Sequence, residues 1–217
     1  MAPMNIAILG GTGKEGTGLA ARWALAGHAI IIGSRDEERA KAKAVDLREL
    51  TRKLTIIGHA NAEAARLGQM VVVALPAAGL ATTLPELREA CRGKVVLSTV
   101  VALDFKGPRL FTLPAAGSSA EETQALLPEA RVVAAFHHIA AHELADTQEP
   151  IDCDLLLCGD DADAKLTVTR LGESMRLRVV DVGPLSNAAA LEGITAVLAA
   201  INRRYKLRNA GIKITGL

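Results

Sequence analysis

Aromatic side chains are scarce in this chain: one Trp, one Tyr and three Phe among 217 residues. Half of the residues are nevertheless apolar, so the core has to be built from Ala, Val, Leu and Ile. That mix suits a parallel sheet covered by helices on both faces. Charge of one sign is also lacking. Lys and Arg number 25 against 24 Asp and Glu, with no long run of either, so nothing points to nucleic acid or to a membrane surface as partner. Long apolar runs are missing: stretches such as Met70 to Ala78 fall far short of a bilayer's thickness. The opening Met-Ala-Pro-Met-Asn leads straight into a strand pattern, without a basic region or a cleavable apolar segment, and a cytoplasmic protein is expected.

Cysteine is rare as well. Cys91, Cys153 and Cys158 are odd in number and have no C-x-x-C spacing. Reduced thiols packed as small hydrophobes are expected, with no disulfide framework and no metal site. Cys153 and Cys158 lie five apart, which puts them on opposite faces of a strand.

What the chain does have is a glycine turn in its required setting. Residues 6–16 read Ile-Ala-Ile-Leu-Gly-Gly-Thr-Gly-Lys-Glu-Gly, an apolar strand running into Gly11-x-Gly13-x-x-Gly16, and a helical run follows from Thr17 to Ala26. Glycines allow the tight bend and let the backbone approach a pyrophosphate held at a helix N-terminus. The end of the second strand selects the dinucleotide. A site for NAD would place Asp or Glu there, to accept from the ribose 2′-hydroxyl. This chain has Ser34 and Arg35, with Arg39 one helical turn on. A hydroxyl and two guanidinium groups suit a 2′-phosphate, so the cofactor reads as NADP. Asp36, directly after Arg35, would favour NAD only if it pointed into the pocket.

Strand and helix patterns alternate along the chain, which calls for an α/β, Rossmann-type doubly wound parallel sheet. Strands are predicted at Asn5–Leu9, Ala29–Gly33, Thr55–Gly58, Gln69–Leu75, Lys94–Val100 and Arg131–Phe136. Helices are predicted at Gly16–Ala26, Asp36–Leu54, Asn61–Leu67, Thr83–Cys91 and Ala120–Leu127, with Ser118 or Ser119 as cap of the last. Residues 102–120 read as a long loop. A soft boundary near 147 divides a dinucleotide-binding domain, 1–147, from a small C-terminal α/β appendage, 148–217, that would close the substrate cleft. The appendage carries strands at Asp154–Cys158 and Arg178–Val182 and helices at Asp163–Met175 and Ala188–Arg204.

Ligands of open α/β sheets bind outside the carboxyl ends of the strands. Four of those ends, at Gly10–Lys14, Gly33–Arg35, Leu75–Ala78 and Thr99–Ala102, are mostly small, apolar or glycine-rich. The fifth is Phe136–Ala141, where His137, His138 and the nearby His142 gather three of the chain's five histidines. If His137 and His138 continue the strand they face opposite ways, so one at most faces the cleft. Three readings stand for them: packed or surface histidines, a zinc site that lacks a third ligand, or a substrate contact and proton relay. No nucleophile elbow, activated cysteine or Tyr-x-x-x-Lys pair is present. A carbonyl reductase needs a proton donor beside its hydride acceptor. Small apolar walls suit two stacked flat rings instead, where position dominates catalysis.

With these residues in view the chain resembles the NADPH-dependent coenzyme F420 reductases, the F420H2:NADP oxidoreductases. The resemblance rests on Ile-Leu-Gly-Gly-Thr-Gly-Lys-Glu-Gly-Thr-Gly-Leu-Ala, Gly-Ser-Arg-Asp-Glu-Glu-Arg-Ala, Ala-Phe-His-His-Ile-Ala-Ala, Cys-Gly-Asp-Asp, Val-Asp-Val-Gly-Pro-Leu-Ser-Asn-Ala and the terminal Gly-Ile-Lys. It covers nearly the whole chain. It implies hydride transfer between NADP(H) and the deazaflavin F420, by a cytoplasmic homo-oligomer such as a homodimer. Residue by residue, it implies that Gly11, Thr12, Gly13, Lys14, Glu15 and Gly16 surround the pyrophosphate, and that Ser34, Arg35 and Arg39 hold the 2′-phosphate. Ala77, Val101 and Ala141 would line the place where nicotinamide and deazaflavin meet, and His137 and Ile139 would contact the deazaflavin. His137 is the one candidate for a catalytic role. Two positions depart from the family pattern: Ala77 stands for a large aromatic, and Ala140 for a proline. A reductase of flavin, imine or ferric chelate, and a non-catalytic NADP-sensing module, are the other functions weighed.

Overall fold

The continuous apolar runs of the first half become strands buried on both faces, and the mixed runs between them become the helices that cover those faces. The computed structural model describes residues 2–53, 55–107 and 109–217. Strands β1 (Asn5–Leu9), β2 (Ala29–Ser34), β3 (Ile56–Ala60), β4 (Met70–Val73), β5 (Val95–Ser98) and β6 (Arg131–Ala135) are parallel neighbours in the order β3-β2-β1-β4-β5-β6. The order reverses between β1 and β4, the crevice where a doubly wound sheet binds its ligand.

Helices α1 (Lys14–Leu25), α2 (Glu37–Thr51) and α3 (Asn61–Leu67) follow the first three strands. The single helix predicted at Thr83–Cys91 is instead a chain of short turns. α4 (Leu80–Thr83) and α5 (Arg88–Cys91) are separated by a 3-10 turn, Leu84–Leu87, that carries Pro85 in its first positions. Proline has no N–H for an α-helical bond and crowds the preceding turn. α6 (Ser119–Leu126), α7 (Ala141–Ala145), β7 (Asp154–Gly159), α8 (Ala162–Ser174), β8 (Arg178–Asp181) and α9 (Ala188–Tyr205) complete the chain. Three helix starts are capped by side chains, with Asp36, Ser118 and Asp161 accepting from the N–H groups of Arg39, Glu121 and Ala164. Asp36 is thus a cap rather than the first residue of α2, and the predicted end at Leu54 lies outside the described residues.

Residues 148–217 add β7 and β8 to the same eight-stranded sheet. β7 runs antiparallel to β6, pairing Val133 with Gly159, and β8 is parallel to β7. The reversal follows from the connection. The helix between β6 and β7, α7, has five residues, so the chain does not travel back along the sheet as a parallel crossover requires. Among the described residues the long loop after β5 makes one bridge, Leu103 with Phe111.

Two apolar clusters sit on opposite faces of the sheet, and Cys153 and Cys158 fall one in each. Two of the five aromatics share one contact. Trp23 of α1 meets Phe136 edge-on at 5.6 Å, tying the first helix to the end of β6. α9 shows that counting uninterrupted apolar runs misses something, because by length and composition this helix could cross a membrane. Here it lies against the sheet, with Leu191 and Leu198 buried in the protein. Its one acid, Glu192, is fully buried and accepts from the N–H groups of Ser119 and Ala120 at 3.1 Å each.

Candidate functional site

β1 ends at Leu9, and the chain then turns through Gly10 with φ +73°. A Cβ there would stand 2.6 Å from the carbonyl oxygen of Ala74, so the turn needs glycine for both conformation and space. Gly16 lets α1 sit directly on the turn, since a Cβ would meet the Cα of Gly11 at 2.8 Å. The N–H of Gly11 is tied to the carbonyls of Ile8 and Gly33 at 3.1 Å each. Gly13 is exposed, heads α1 and supplies no side-chain cap. Unlike α2, α6 and α8, α1 therefore offers its first N–H groups and the positive end of its dipole outward, to an anion. Thr12, Gly13 and Lys14 flank that opening.

A cavity of about 930 Å³ opens beside this turn and contains Thr12, Gly13, Ser34, Arg35 and Arg39. Among the described residues neither Arg35 nor Arg39 forms an ion pair. Asp36 also lines the cavity, but its Oδ1 accepts from the N–H of Arg39 at 3.2 Å as the cap of α2. Two guanidinium groups without carboxylates, next to a helix-bound aspartate, fit a 2′-phosphate and not a bare 2′-hydroxyl. Asn61, Thr82 and Thr83 also line it. Asn61 begins α3 at the carboxyl end of β3, a strand end the sequence reading passed over although its position was legible.

Glu15 lies apart from the exposed turn. It is half-buried, its Oε1 is fully buried without a hydrogen-bond partner, and the hydroxyl of Thr99 is its polar neighbour. Burial pushes its carboxyl up to about 7, against the lowering effect of Thr99.

The remaining predicted residues stand at the ends of the next three strands. Ala77 and Val101, after β4 and β5, are half-buried, as is Ala141 at the start of α7. β6 ends at Ala135 rather than Phe136, whose φ of +70° breaks the strand. His137 and His138 therefore sit in a turn, and strand alternation does not apply to them. Both are buried. His138 is a packing histidine, its Nε2 2.8 Å from the carbonyl oxygen of Asp154 on β7. His137 has both ring nitrogens buried without partners, while its carbonyl accepts from the hydroxyl of Thr195 on α9 at 2.9 Å. Burial, with His138 adding to it, pushes His137 down to about 3, so the ring is neutral at any physiological pH. Ile139 is buried in the core beside Phe136 and Leu144. His142 is exposed. No three His, Cys, Asp or Glu side chains converge as metal ligands among the described residues. Burial raises the Cys153 and Cys158 thiols to about 12 and Cys91 to about 11, which leaves none as a thiolate.

One anchor had no signal in the sequence. Arg22, in the last turn of α1, donates to the carbonyls of Leu144, Glu143, Asp146 and Glu149, and so fixes the segment that carries His137 to Ala141 onto the helix of the glycine turn.

The family described as NADP oxidoreductase coenzyme F420-dependent matches residues 5–102, the stretch from β1 through β5. The F420-dependent NADP reductase of Methanocaldococcus jannaschii is 40% identical over 99% of this chain and 99% of its own length. That of Methanothermobacter marburgensis is 40% identical over the same shares. A solved structure from Arthrobacter sp. FB24, provisionally named an F420-dependent NADP-reductase, superposes with a TM-score of 0.84 at 28% identity, covering 98% of this chain and 99% of the other. The chain belongs to the family of F420-dependent NADP reductases.

Proposed function

We propose that this protein transfers a hydride between NADP(H) and the deazaflavin coenzyme F420, as an NADPH-dependent F420 reductase. The observation that carries the reading is the cavity in which Ser34 and the unpaired Arg35 and Arg39 stand beside an uncapped helix N-terminus, in a chain 40% identical along its whole length to F420-dependent NADP reductases.

In this reading the N–H groups at Thr12 to Gly16 hold the pyrophosphate, and Ser34, Arg35 and Arg39 hold the 2′-phosphate. Ala77, Val101 and Ala141 are small enough to leave room where the two rings meet. His137, a neutral group after β6 whose ring nitrogens are buried without partners, stands on the side of the sheet end where the deazaflavin binds. Ile139 contributes through its backbone, because its side chain belongs to the core. Residues 148–217 close the cleft, with Thr195 of α9 holding the carbonyl of His137. The bound cofactors supply the redox chemistry, a direct hydride transfer between ring carbons, and the protein supplies position and exclusion of water.

The protein acts in the cytoplasm, as a homodimer. α9 supports self-association, since its Val197 and Tyr205 remain 59% and 66% exposed.

The test is a choice of acceptors. Supplied with NADPH, the protein is expected to reduce F420 and to leave free flavin, a cyclic imine and a ferric chelate untouched. Turnover of one of those three without turnover of F420 would replace the acceptor. Tight NADPH binding with no turnover at all would replace the enzyme by a sensing module.

A further inference from the structure

The wall of the cavity beside the glycine turn contains one polar side chain that the fold does not use. Asn61 lines the cavity and is only 7% exposed. It stands at the start of α3, where asparagine commonly serves as a cap, yet this helix has no side-chain cap. The Oδ1 of Asn61 is instead buried without a hydrogen-bond partner. An unpaired buried acceptor destabilises a fold, so stability does not account for an amide at this place.

Gly33, near the end of β2, fixes how that amide lies. A Cβ on this glycine would stand 2.8 Å from Oδ1, so the missing side chain leaves the space that the amide oxygen fills. With Oδ1 turned inward, Nδ2 is the polar atom left to face the cavity. Register then places this donor. Ser34 pairs with Ala60 across β2 and β3, strands that lie about 4.8 Å apart. Asn61 follows Ala60 and therefore stands beside Ser34 and Arg35 in the same wall. Among the described residues the one carboxylate of that wall, Asp36, is occupied by the N–H of Arg39. A neutral N–H donor next to two guanidinium groups suits a phosphate oxygen: it adds a hydrogen bond and does not compete for the arginines.

We propose that Asn61 is a specificity-determining residue for the 2′-phosphate, its Nδ2 donating to a phosphate oxygen alongside Ser34, Arg35 and Arg39. This adds a residue from the end of a further strand, β3, to the NADP reading, on which it rests. NADH carries a hydroxyl in place of the phosphate and offers Nδ2 only a neutral acceptor, so the amide favours NADPH. The Gly33 and Asn61 pair is the device that holds it: the glycine on β2 makes room for the oxygen, and the nitrogen is thereby aimed at the ligand.

The test is the ratio of NADPH affinity to NADH affinity, measured by equilibrium titration of the full chain in the absence of F420. Asn61→Leu keeps the branching and approximate size of the side chain and removes its donor. NADPH should bind about tenfold more weakly, the worth of one hydrogen bond to a charged group, while NADH stays near the parent value. The urea midpoint of this variant without nucleotide should match or exceed that of the parent, because the unpaired acceptor leaves with the amide. Asn61→Asp keeps the shape and sets a carboxylate beside the phosphate, and should lower the ratio further, by about a hundredfold. A ratio unchanged in both variants would overturn the proposal. Equal weakening of NADPH and NADH would also overturn it, by placing Asn61 against the adenine or ribose that both share. If the folded parent itself binds NADPH no better than NADH, the NADP reading falls first, and this inference with it.

Discussion

Arg22 donates from its Nε to the carbonyl oxygen of Leu144 at 3.0 Å, which joins the end of the glycine-turn helix to the five-residue helix after β6. A second close contact reinforces the joint: a Cβ on Gly18 would stand 2.6 Å from the Cβ of Leu144. The helix of the dinucleotide turn is therefore packed against α7, the helix that Ala141 begins.

Replacing Arg22 by Ala strands the carbonyls that end α7. Loss of charge-assisted bonds of this kind costs about 2 kcal/mol, to be read as a lower urea midpoint. The apparent KM for F420 should rise, because α7 carries Ala141, while NADPH affinity stays near the parent value. Gly18→Ala should act in the same direction through steric pressure on Leu144.

Arg35→Asp should weaken NADPH by roughly 10- to 100-fold, the range of one lost charge-assisted phosphate contact plus the added like charge. NADH affinity should hold or improve. Equilibrium titration with both nucleotides checks this, and survival of NADPH affinity would remove Arg35 from the 2′-phosphate site.

Two buried groups give stability opposite dependences on pH. His137 is held at about 3 against 6.5 for an unperturbed histidine. Between those values the unfolded chain binds a proton that the fold refuses, so stability falls as pH drops. Glu15 is held at about 7 against 4.5, so the fold keeps a proton that the unfolded chain loses. Its contribution is full below 4.5 and is lost as pH rises through about 7. Between pH 4.5 and 6.5 the two offset one another. Denaturation of His137→Asn across that window should show stability falling with pH more steeply than in the parent, and Glu15→Gln should show the reverse. His137→Ala should also raise the apparent KM for F420 and spare NADPH binding.

Glu192 joins α9 to the first turn of α6 by accepting from two N–H groups. Glu192→Ala leaves both donors buried and unpaired and should cost about 2 to 4 kcal/mol. Thermal unfolding measures the loss.

The sequence carried the local part of this structure. The glycine turn, the Ser34 and Arg35 signature and every strand of the sheet follow from short patterns of residue size and polarity. The bounds of α3 matched residue for residue. What it did not carry depends on contacts distant in the chain. Nothing near Arg22 announces carbonyl partners at residues 143 to 149, and nothing near Glu192 announces Ser119. The reversed direction of β7 follows from the shortness of α7, a helix the sequence pattern did not reveal. Strand alternation misjudged His137 and His138 because Phe136 leaves the strand with a positive φ.

The most direct test mixes the purified protein with F420 and either NADPH or NADH and follows the visible absorbance of the deazaflavin. Rapid loss of colour with NADPH, and much slower loss with NADH, is the predicted result. Unchanged absorbance in a protein that demonstrably binds NADPH would contradict hydride transfer to F420.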